Sequence, residues 1–187
     1  MRKLFSFNMV TLDGFFAGVN GDINWHNVDA EFNEFAIAQL NEIGTLLFGR
    51  VTYQMMASYW PTPDAVKDDP IVAGLMNHLP KIVFSKTLAK AGWENTKLIK
   101  DKIAEELTKL KQQSGKDIAV FGSANLMSTL MQMDLIAEHR VMVNPVVLGS
   151  GSPLFQNKDK LNLKLLKTRT FGNGNVLLSY QTVGNHS

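Results

Sequence analysis

Apolar residues along this chain follow two rhythms, and the rhythms alternate. Short continuous apolar runs bounded by Gly, Asp or Ser predict buried strands, and apolar residues three and four apart predict helices. "KLFSFNMVTL" (3–12) is a run of the first kind, ended by "DG". "AEFNEFAIAQL" (30–40) is of the second kind: Phe32, Phe35, Ala36 and Leu40 share one helical face, and Asp29 stands where an N-cap belongs. "TLLFG" (45–49) predicts a strand closed by glycine, and "RVTYQMMASYW" (50–60) a helix that stops before Pro61. Residues 61–80 hold Pro61, Pro63, Pro70 and Pro80, four of the chain's six prolines, and predict a long irregular excursion with room for one helical turn. "KIVFS" (81–85) is another buried strand. "DKIAEELTKLKQQSG" (101–115) is the clearest helix, with an Ile103, Leu107, Leu110 stripe, a Glu105–Lys109 pair at i,i+4 and Gly115 as its stop. "DIAVFG" (117–122) predicts a strand, and "SANLMSTLMQM" (123–133) a helix with Leu126, Leu130 and Met133 inward.

The last third changes rhythm. "AEHRVMVNPVVLGSG" (137–151), "LNLKLLKTRTF" (161–171) and "NVLLSYQTV" (175–183) predict strands, the last two joined by the hairpin signal "GNGN". Alternating strands and helices followed by three strands predict an α/β fold. Its central sheet is mainly parallel, with helices on both faces and an antiparallel C-terminal edge. No internal repeat and no linker interrupts the pattern, so residues 1–187 are expected to form one domain.

Composition removes several kinds of function. The chain is 45% hydrophobic and 19% charged, enough to bury a core without staples. A net charge of +2 predicts no bulk attraction to nucleic acid or membrane. The absence of cysteine excludes disulfides, thiolate metal sites and cysteine nucleophiles. His26, His78, His139 and His186 show no metal-ligand spacing and are expected to be ordinary surface or turn residues, with no metal bound. "MRKLFSFNMVTLDG" lacks the apolar core and cleavage site of a signal peptide, and no apolar run reaches about 18 residues. A soluble, cytoplasmic protein is the expectation.

In an open α/β sheet, ligands bind at the carboxyl ends of the strands. Three predicted strand ends carry small or polar residues: "FGRVTY" (48–53), "FSKT" (84–87) and "FGSANL" (121–126). Gly49 permits close approach of a ligand, and Arg50 and Thr52 stand at a helix start, where free N–H groups and the dipole favour an anion. Ser85, Lys86 and Thr87 offer two hydroxyls and a cation, and Gly122 and Ser123 open a second helix. Singly, each is also an ordinary turn: Gly–Ser is a capped helix start, Arg50 a solvated charge, Ser–Lys–Thr a loop. Jointly, they suit a ligand with two separated phosphate groups.

In order and spacing, "MVTLDGFFA", "LLFGRVTYQMM", "PKIVFSKTL", "WENTKLI" and "IAVFGSANLMSTLMQMDLIAEHRVMVNPVVLGSGSPLF" resemble the dihydrofolate-reductase-like superfamily. The closer likeness is to its riboflavin-biosynthesis branch, the RibD C-terminal domain family, over about residues 3–180. The resemblance implies a three-layer α/β/α fold and an NADPH site. By that likeness Gly49, Arg50 and Thr52 meet the cofactor phosphates, and Arg50, Ser85 and Lys86 lie near the adenosine 2′-phosphate, with Thr87 beside the ribose. Gly122, Ser123, Ala124, Asn125 and Leu126 cradle the pyrophosphate, and Ala17 and Gly18 lie by the nicotinamide ribose. It also implies a small heterocyclic substrate, either a pyrimidine intermediate such as 5-amino-6-(5-phosphoribosylamino)uracil or a pterin, and a homodimer through the C-terminal strands. "VMVNPVVLG" is more apolar than an exposed edge should be, which agrees with a covered edge.

The chain departs from that likeness in places. Dihydrofolate reductases carry a carboxylate on the first helix; the matching stretch "EFNEF" places Asn33 there, with Glu31 and Glu34 beside it. The cysteines that a zinc deaminase requires are absent. Asp13, in "TLDG", is either a turn residue or a carboxylate that orients substrate or donates a proton through water. Glu138, in "LIAEHR", is either a carboxylate of that kind or a surface residue near the start of a strand. Phe16, Trp25, Tyr53 and Trp60 line a planar substrate's pocket or belong to the core. The expected activity is reduction of an imine or carbonyl by NADPH, with residues 61–80 shaping the substrate pocket; the alternative is a non-catalytic nucleotide-binding or ligand-sensing module that keeps the cofactor cleft.

Overall fold

The computed structural model describes residues 1–156 and 160–183; His186 lies outside them. Strand β1 (Leu4–Thr11) runs up the middle of an eight-stranded sheet, and a short β2 (Phe15–Ala17) follows its turn. Helix α1 (Ala30–Glu42) begins as predicted, with Asp29 accepting from the Phe32 N–H at 2.8 Å. Then come β3 (Ile43–Gly49), α2 (Arg50–Tyr59), α3 (Pro63–Asp68), α4 (Pro70–His78), β4 (Lys81–Phe84), β5 (Thr96–Ile99) and α5 (Ile103–Gln112). The chain continues through β6 (Asp117–Val120), α6 (Ala124–Gln132), β7 (Glu138–Asn144), β8 (Ser152–Pro153), β9 (Leu163–Thr170) and β10 (Val176–Thr182).

The sheet order is β5-β4-β3-β6-β1-β7-β10-β9. The first six strands of that row are parallel, and β10 runs antiparallel to both β7 and β9, as the pattern predicted. Alternation along the strands divides the core. Leu4, Leu47, Ile118 and Val120 pack against Leu107 of α5 and Leu126, Met127 and Leu130 of α6. Phe5, Leu46, Phe48 and Ala119 face the other way, onto Leu40 of α1, Tyr53 of α2 and Val72 and Met76 of α4. Among the described residues no helix is long and apolar enough to cross a membrane.

Several sequence expectations change. Residues 61–80 are two helices, because Pro63 and Pro70 open them at positions whose N–H would have no partner anyway. Thr62 Oγ1 and Asp69 Oδ1 cap the two, accepting from Ala65 N at 3.2 Å and Val72 N at 3.0 Å. Strand β5 adds an edge that its half-polar "TKLI" concealed. On α5, Lys109 meets Glu106 at 3.6 Å, while Glu105 meets Lys102. Met133 is 44% exposed, and Met127 takes the inward place. "VMVNPVV" is apolar because β7 lies inside the sheet, between β1 and β10; the edge is β9, whose Lys164, Lys167 and Arg169 are typical edge protection. His139 is buried between the hydroxyls of Ser6 and Thr182, at 3.3 and 3.4 Å, and burial lowers its pKa.

Candidate active site at the carboxyl edge of the sheet

Strands β3 and β6 are parallel neighbours, so the turns that follow them lie side by side. The Gly49 N–H donates to Gly122 O at 2.8 Å. A Cβ on Gly49 would stand 2.4 Å from Ser123 Oγ; one on Gly122, whose φ is +129°, would stand 2.8 Å from Thr52 Oγ1 and 2.9 Å from Phe16 Cζ. Both turns therefore leave no room for a Cβ, Gly49 against Ser123 and Gly122 against Thr52 and Phe16, and their backbone hydrogen bond brings the N-termini of α2 and α6 together. The first N–H groups of each helix have no intrahelical acceptor. Ser123 Oγ accepts from Leu126 N at 3.5 Å as the cap of α6. Ala124 and Leu126 are buried, and Asn125 is exposed.

Strand β4 flanks β3, with Phe84 opposite Gly49, so the turn at 85–87 sits beside Arg50. Ser85 Oγ accepts from Thr87 N at 3.2 Å and Leu88 N at 2.9 Å, so this hydroxyl is committed to shaping its own turn. Lys86 and Thr87 are exposed. Arg50 is exposed too, and its guanidinium donates to Gln54 Oε1 at 3.1 Å. The structure thus brings Gly49, Arg50, Thr52, Ser85, Lys86, Thr87 and the 122–126 turn to one stretch of edge. Ala17 and Gly18 lie buried at the end of β2, where Ala17 pairs with Ser152 of β8.

Next to these turns a cavity of about 320 Å³ opens between β1, α1, α2, α4 and the 16–28 loop. Its wall is mostly apolar, with Phe7, Phe16, Phe32, Met55, Trp60 and Phe121 prominent. Five polar residues are among those that line it: Asn8, His26, Asn33, Gln39 and Thr52. The Asn33 amide donates to Asp69, the cap of α4, and Gln39 Oε1 accepts from Arg140 Nη1 at 3.2 Å. The Asn8 amide donates to Phe121 O at 3.3 Å, while Asn8 Oδ1 and His26 Nε2 are buried with no hydrogen-bond partner among the described residues. Burial pushes the His26 pKa down to about 4 against a weak opposing pull from Asp22, so the ring is neutral at pH 7. Among the described residues no Lys, Arg, Asp or Glu lines this cavity.

The carboxylates that the sequence offered sit elsewhere. Asp13 braces two loops, accepting from Thr11 Oγ1 at 2.6 Å, Gly149 N at 2.8 Å and Leu148 N at 3.2 Å. The Thr11 hydrogen bond, and then those backbone donors, hold its pKa below the usual carboxylate value, the opposite of what a proton donor needs. Glu138 opens β7 opposite Phe5, at the amino edge of the sheet. There burial raises its pKa, and the ion pair with Arg140 at 2.8 Å outweighs that rise. Glu31 accepts from Arg169 at 3.2 Å and from Gly172 N at 2.8 Å, and Glu34 is exposed. Of the aromatics, Phe16 and Trp60 line the cavity; Trp25 packs 4.5 Å from the His26 ring, and Tyr53 is core, its hydroxyl accepting from Trp93 N at 2.9 Å.

Sequence reasoning passed over Asn8 and His26. A signal for Asn8 was present: an amide interrupting the apolar run of "FSFNMV". It also read "GNGN" as a turn alone. The turn anchors the loop that carries His26: Asn27 Nδ2 donates to Asn173 O at 2.8 Å, and Asn175 Nδ2 donates to Asn27 O at 2.8 Å. From β7, Asn144 Oδ1 accepts from Asn27 N at 2.9 Å.

This architecture recurs in known proteins. The uncharacterized protein YyaP of Bacillus subtilis (strain 168) is 38% identical over 178 residues, covering 94% of this chain and 92% of that protein. The crystal structure of a putative riboflavin biosynthesis protein from Shewanella sp. PV-4 superposes with a TM-score of 0.75 at 23% identity, over 97% of this chain and 99% of that one. A dihydrofolate reductase from Enterococcus faecalis, complexed with NADP(H) and RAB-propyl, superposes with a TM-score of 0.66 at 13% identity, over 97% of both chains. These structures share the fold: a mainly parallel sheet between helices with antiparallel C-terminal strands. The family model of the RibD C-terminal domain matches residues 2–177, nearly the whole sheet and both turns, and with that match the chain belongs to the RibD C-terminal domain family.

Proposed function

We propose that the protein is an NADPH-dependent reductase of a small planar heterocycle. One observation carries this reading: two helix N-termini meet at the sheet edge, with Arg50 and Lys86 beside them and an apolar cavity next to them. The free N–H groups of α2 and α6 suit the pyrophosphate, through Gly49, Thr52 and the 122–126 turn. Arg50 and Lys86 suit a 2′-phosphate, with Thr87 near its ribose and Ala17 and Gly18 towards the nicotinamide. Ser85 acts by holding that turn. When bound, NADPH supplies the hydride. The chain's own residues bind the phosphates, orient the substrate ring in the cavity and exclude bulk water from it. With Asp13 and Glu138 committed elsewhere, water is the proton source.

Thermal unfolding tests this directly. NADPH at a hundredfold excess over its Kd stabilises by about 2.7 kcal/mol, a rise of roughly 5–10 °C, with NADH giving much less. No shift with either nucleotide removes the proposal. A sensing module that binds NADPH without turnover is the second reading, favoured by the resemblance, which puts Asn33 nearest the place where dihydrofolate reductases carry a carboxylate; here its amide donates to Asp69. Loss of nicotinamide absorbance with pyrimidines, pterins or quinones decides for the reductase. We also propose a homodimer through the C-terminal strands, supported by Leu163, Leu165 and Leu166 exposed on the edge strand β9. A monomer in gel filtration at micromolar concentration removes it.

A further inference from the structure

We infer that Lys81 is a positioning residue for the cavity: its buried ammonium clasps the C-terminal end of α4 and so fixes the wall that α4 and α2 present to a ligand. This rests on the reductase reading, in which that cavity holds the substrate ring.

Lys81 opens β4 and is 1% exposed. Its Nζ donates to Met76 O at 2.9 Å, Asn77 O at 2.9 Å and Leu79 O at 2.7 Å, which uses all three ammonium N–H groups. The last four carbonyls of a helix have no intrahelical donor. In α4 these belong to Leu75, Met76, Asn77 and His78. Leu75 O accepts from Leu79 N at 3.0 Å, and His78 O from Asn95 Nδ2 at 3.2 Å. Met76 O would next look to residue 80, but that is a proline and has no N–H to give. Asn77 O would look to Lys81 N, which donates instead to Asn95 O at 2.8 Å. The lysine side chain serves both carbonyls. Its charge also suits the negative end of the helix dipole, and the face of the Trp93 ring lies 4.5 Å from Nζ. Burial lowers the Lys81 pKa to about 8 against a pull from Glu94, so the group is still charged at pH 7.

The clasp leads to the cavity in two steps. Met76, whose carbonyl it holds, lines the wall. Asn77, the next residue, ties α4 to the end of α2: its Nδ2 donates to Trp60 O at 2.9 Å, and its Oδ1 accepts from Trp93 Nε1 at 2.8 Å. Trp60 lines the wall as well, and its Nε1 lies 3.1 Å from Sδ of Met56, a third lining residue. The opposite end of α4 is tied by Asp69, which takes the Asn33 amide of α1. A wall made of side chains keeps its shape only when the helix beneath it is held in place. Without the ammonium, Met76 O and Leu79 O lose their donor, the last turn of α4 opens, and Met76, Trp60 and Met56 lose their common anchor.

The test separates charge from bulk. The chain has no cysteine, so Lys81→Cys gives a single site for alkylation in the unfolded full chain, which is then refolded. Aminoethylation restores an ammonium at the length of lysine; propylation restores the length without the charge. Methyl spectra of carbon-13 methionine and amide hydrogen exchange are the readouts. In the propyl adduct the Met76 and Met56 methyl signals shift or broaden, and amides of residues 75–79 exchange about tenfold faster. Met127, packed on the opposite face of the sheet, and the amides of α5 and α6 stay as in the unaltered chain. The aminoethyl adduct restores the unaltered pattern. Identical behaviour of the two adducts overturns the inference, because a packing role is met by either. So does a change spread over all the methionines and helices, which marks a general loss of stability. If the propyl adduct does not refold, the unaltered chain still decides: its 75–79 amides are expected to be as protected as those inside α5, and exchange there at the rate of a frayed end overturns the clasp. A missing NADPH shift would strike the reductase reading instead, and the two failures are separate readouts.

Discussion

Two neighbouring stretches of the same sheet edge are built from different material. Between β3 and β6 the surface offered to a ligand is backbone: N–H groups of two helix starts, brought together by Gly49 and Gly122. Beside α1 it is side chain, from β1, α1, α2, α4 and a loop that is distant in sequence. A backbone surface is set by the turns and tolerates most side-chain change, provided the glycines stay. A side-chain surface can be remade one residue at a time. Under the proposed function, the first kind of wall suits a constant cofactor and the second a variable substrate.

The largest expected effect is at a glycine. Gly122→Ala puts a Cβ within 3 Å of Thr52 and Phe16 at a positive φ, and should cost about 3 kcal/mol or more, roughly 6–12 °C in Tm, together with the NADPH shift. An unchanged Tm would break the contrast, because the turn side would then not depend on its backbone.

Next comes pH, which probes the cavity side. The His26 pKa falls from 6.5 to about 4 on folding. Between those values the unfolded chain holds a proton that the folded chain does not. The stabilisation is therefore full above pH 6.5 and is lost as pH falls towards 4, by up to about 3 kcal/mol. His139 adds in the same direction. Denaturant titrations of His26→Phe should show a flatter acid limb; an unaltered limb would mean that the ring is solvated.

The smallest effect sharpens the turn side. Arg50→Ala should weaken NADPH binding about tenfold, about 1.4 kcal/mol, and leave NADH binding and Tm nearly unchanged, since the side chain is exposed. Equal losses for both nucleotides would move the 2′-phosphate contact away from Arg50.

The contrast also explains what was legible beforehand. The turn-side motifs are local: Gly–Arg after one strand, Ser–Lys–Thr after another, Gly–Ser after a third, each a few residues long with its own helix or turn. Prolines misled at 61–80 because their meaning depends on position, disruptive inside a helix and favourable at its first residue. Asp13 drew attention at the strand end, but a carboxylate at a turn is equally suited to gathering backbone N–H groups, and it gathers two from a loop 135 residues away.

By itself the sequence determined the alternation of strands and helices, the direction of the C-terminal hairpin and the glycine turns, because each depends on neighbours within a few residues. Only the tertiary structure decided which turns adjoin, that β7 is interior while β9 is the edge, and that Asn8 and His26 share a cavity. Strand order and the walls of a cavity are set by contacts between segments far apart in the chain, and periodicity within a segment carries no record of them.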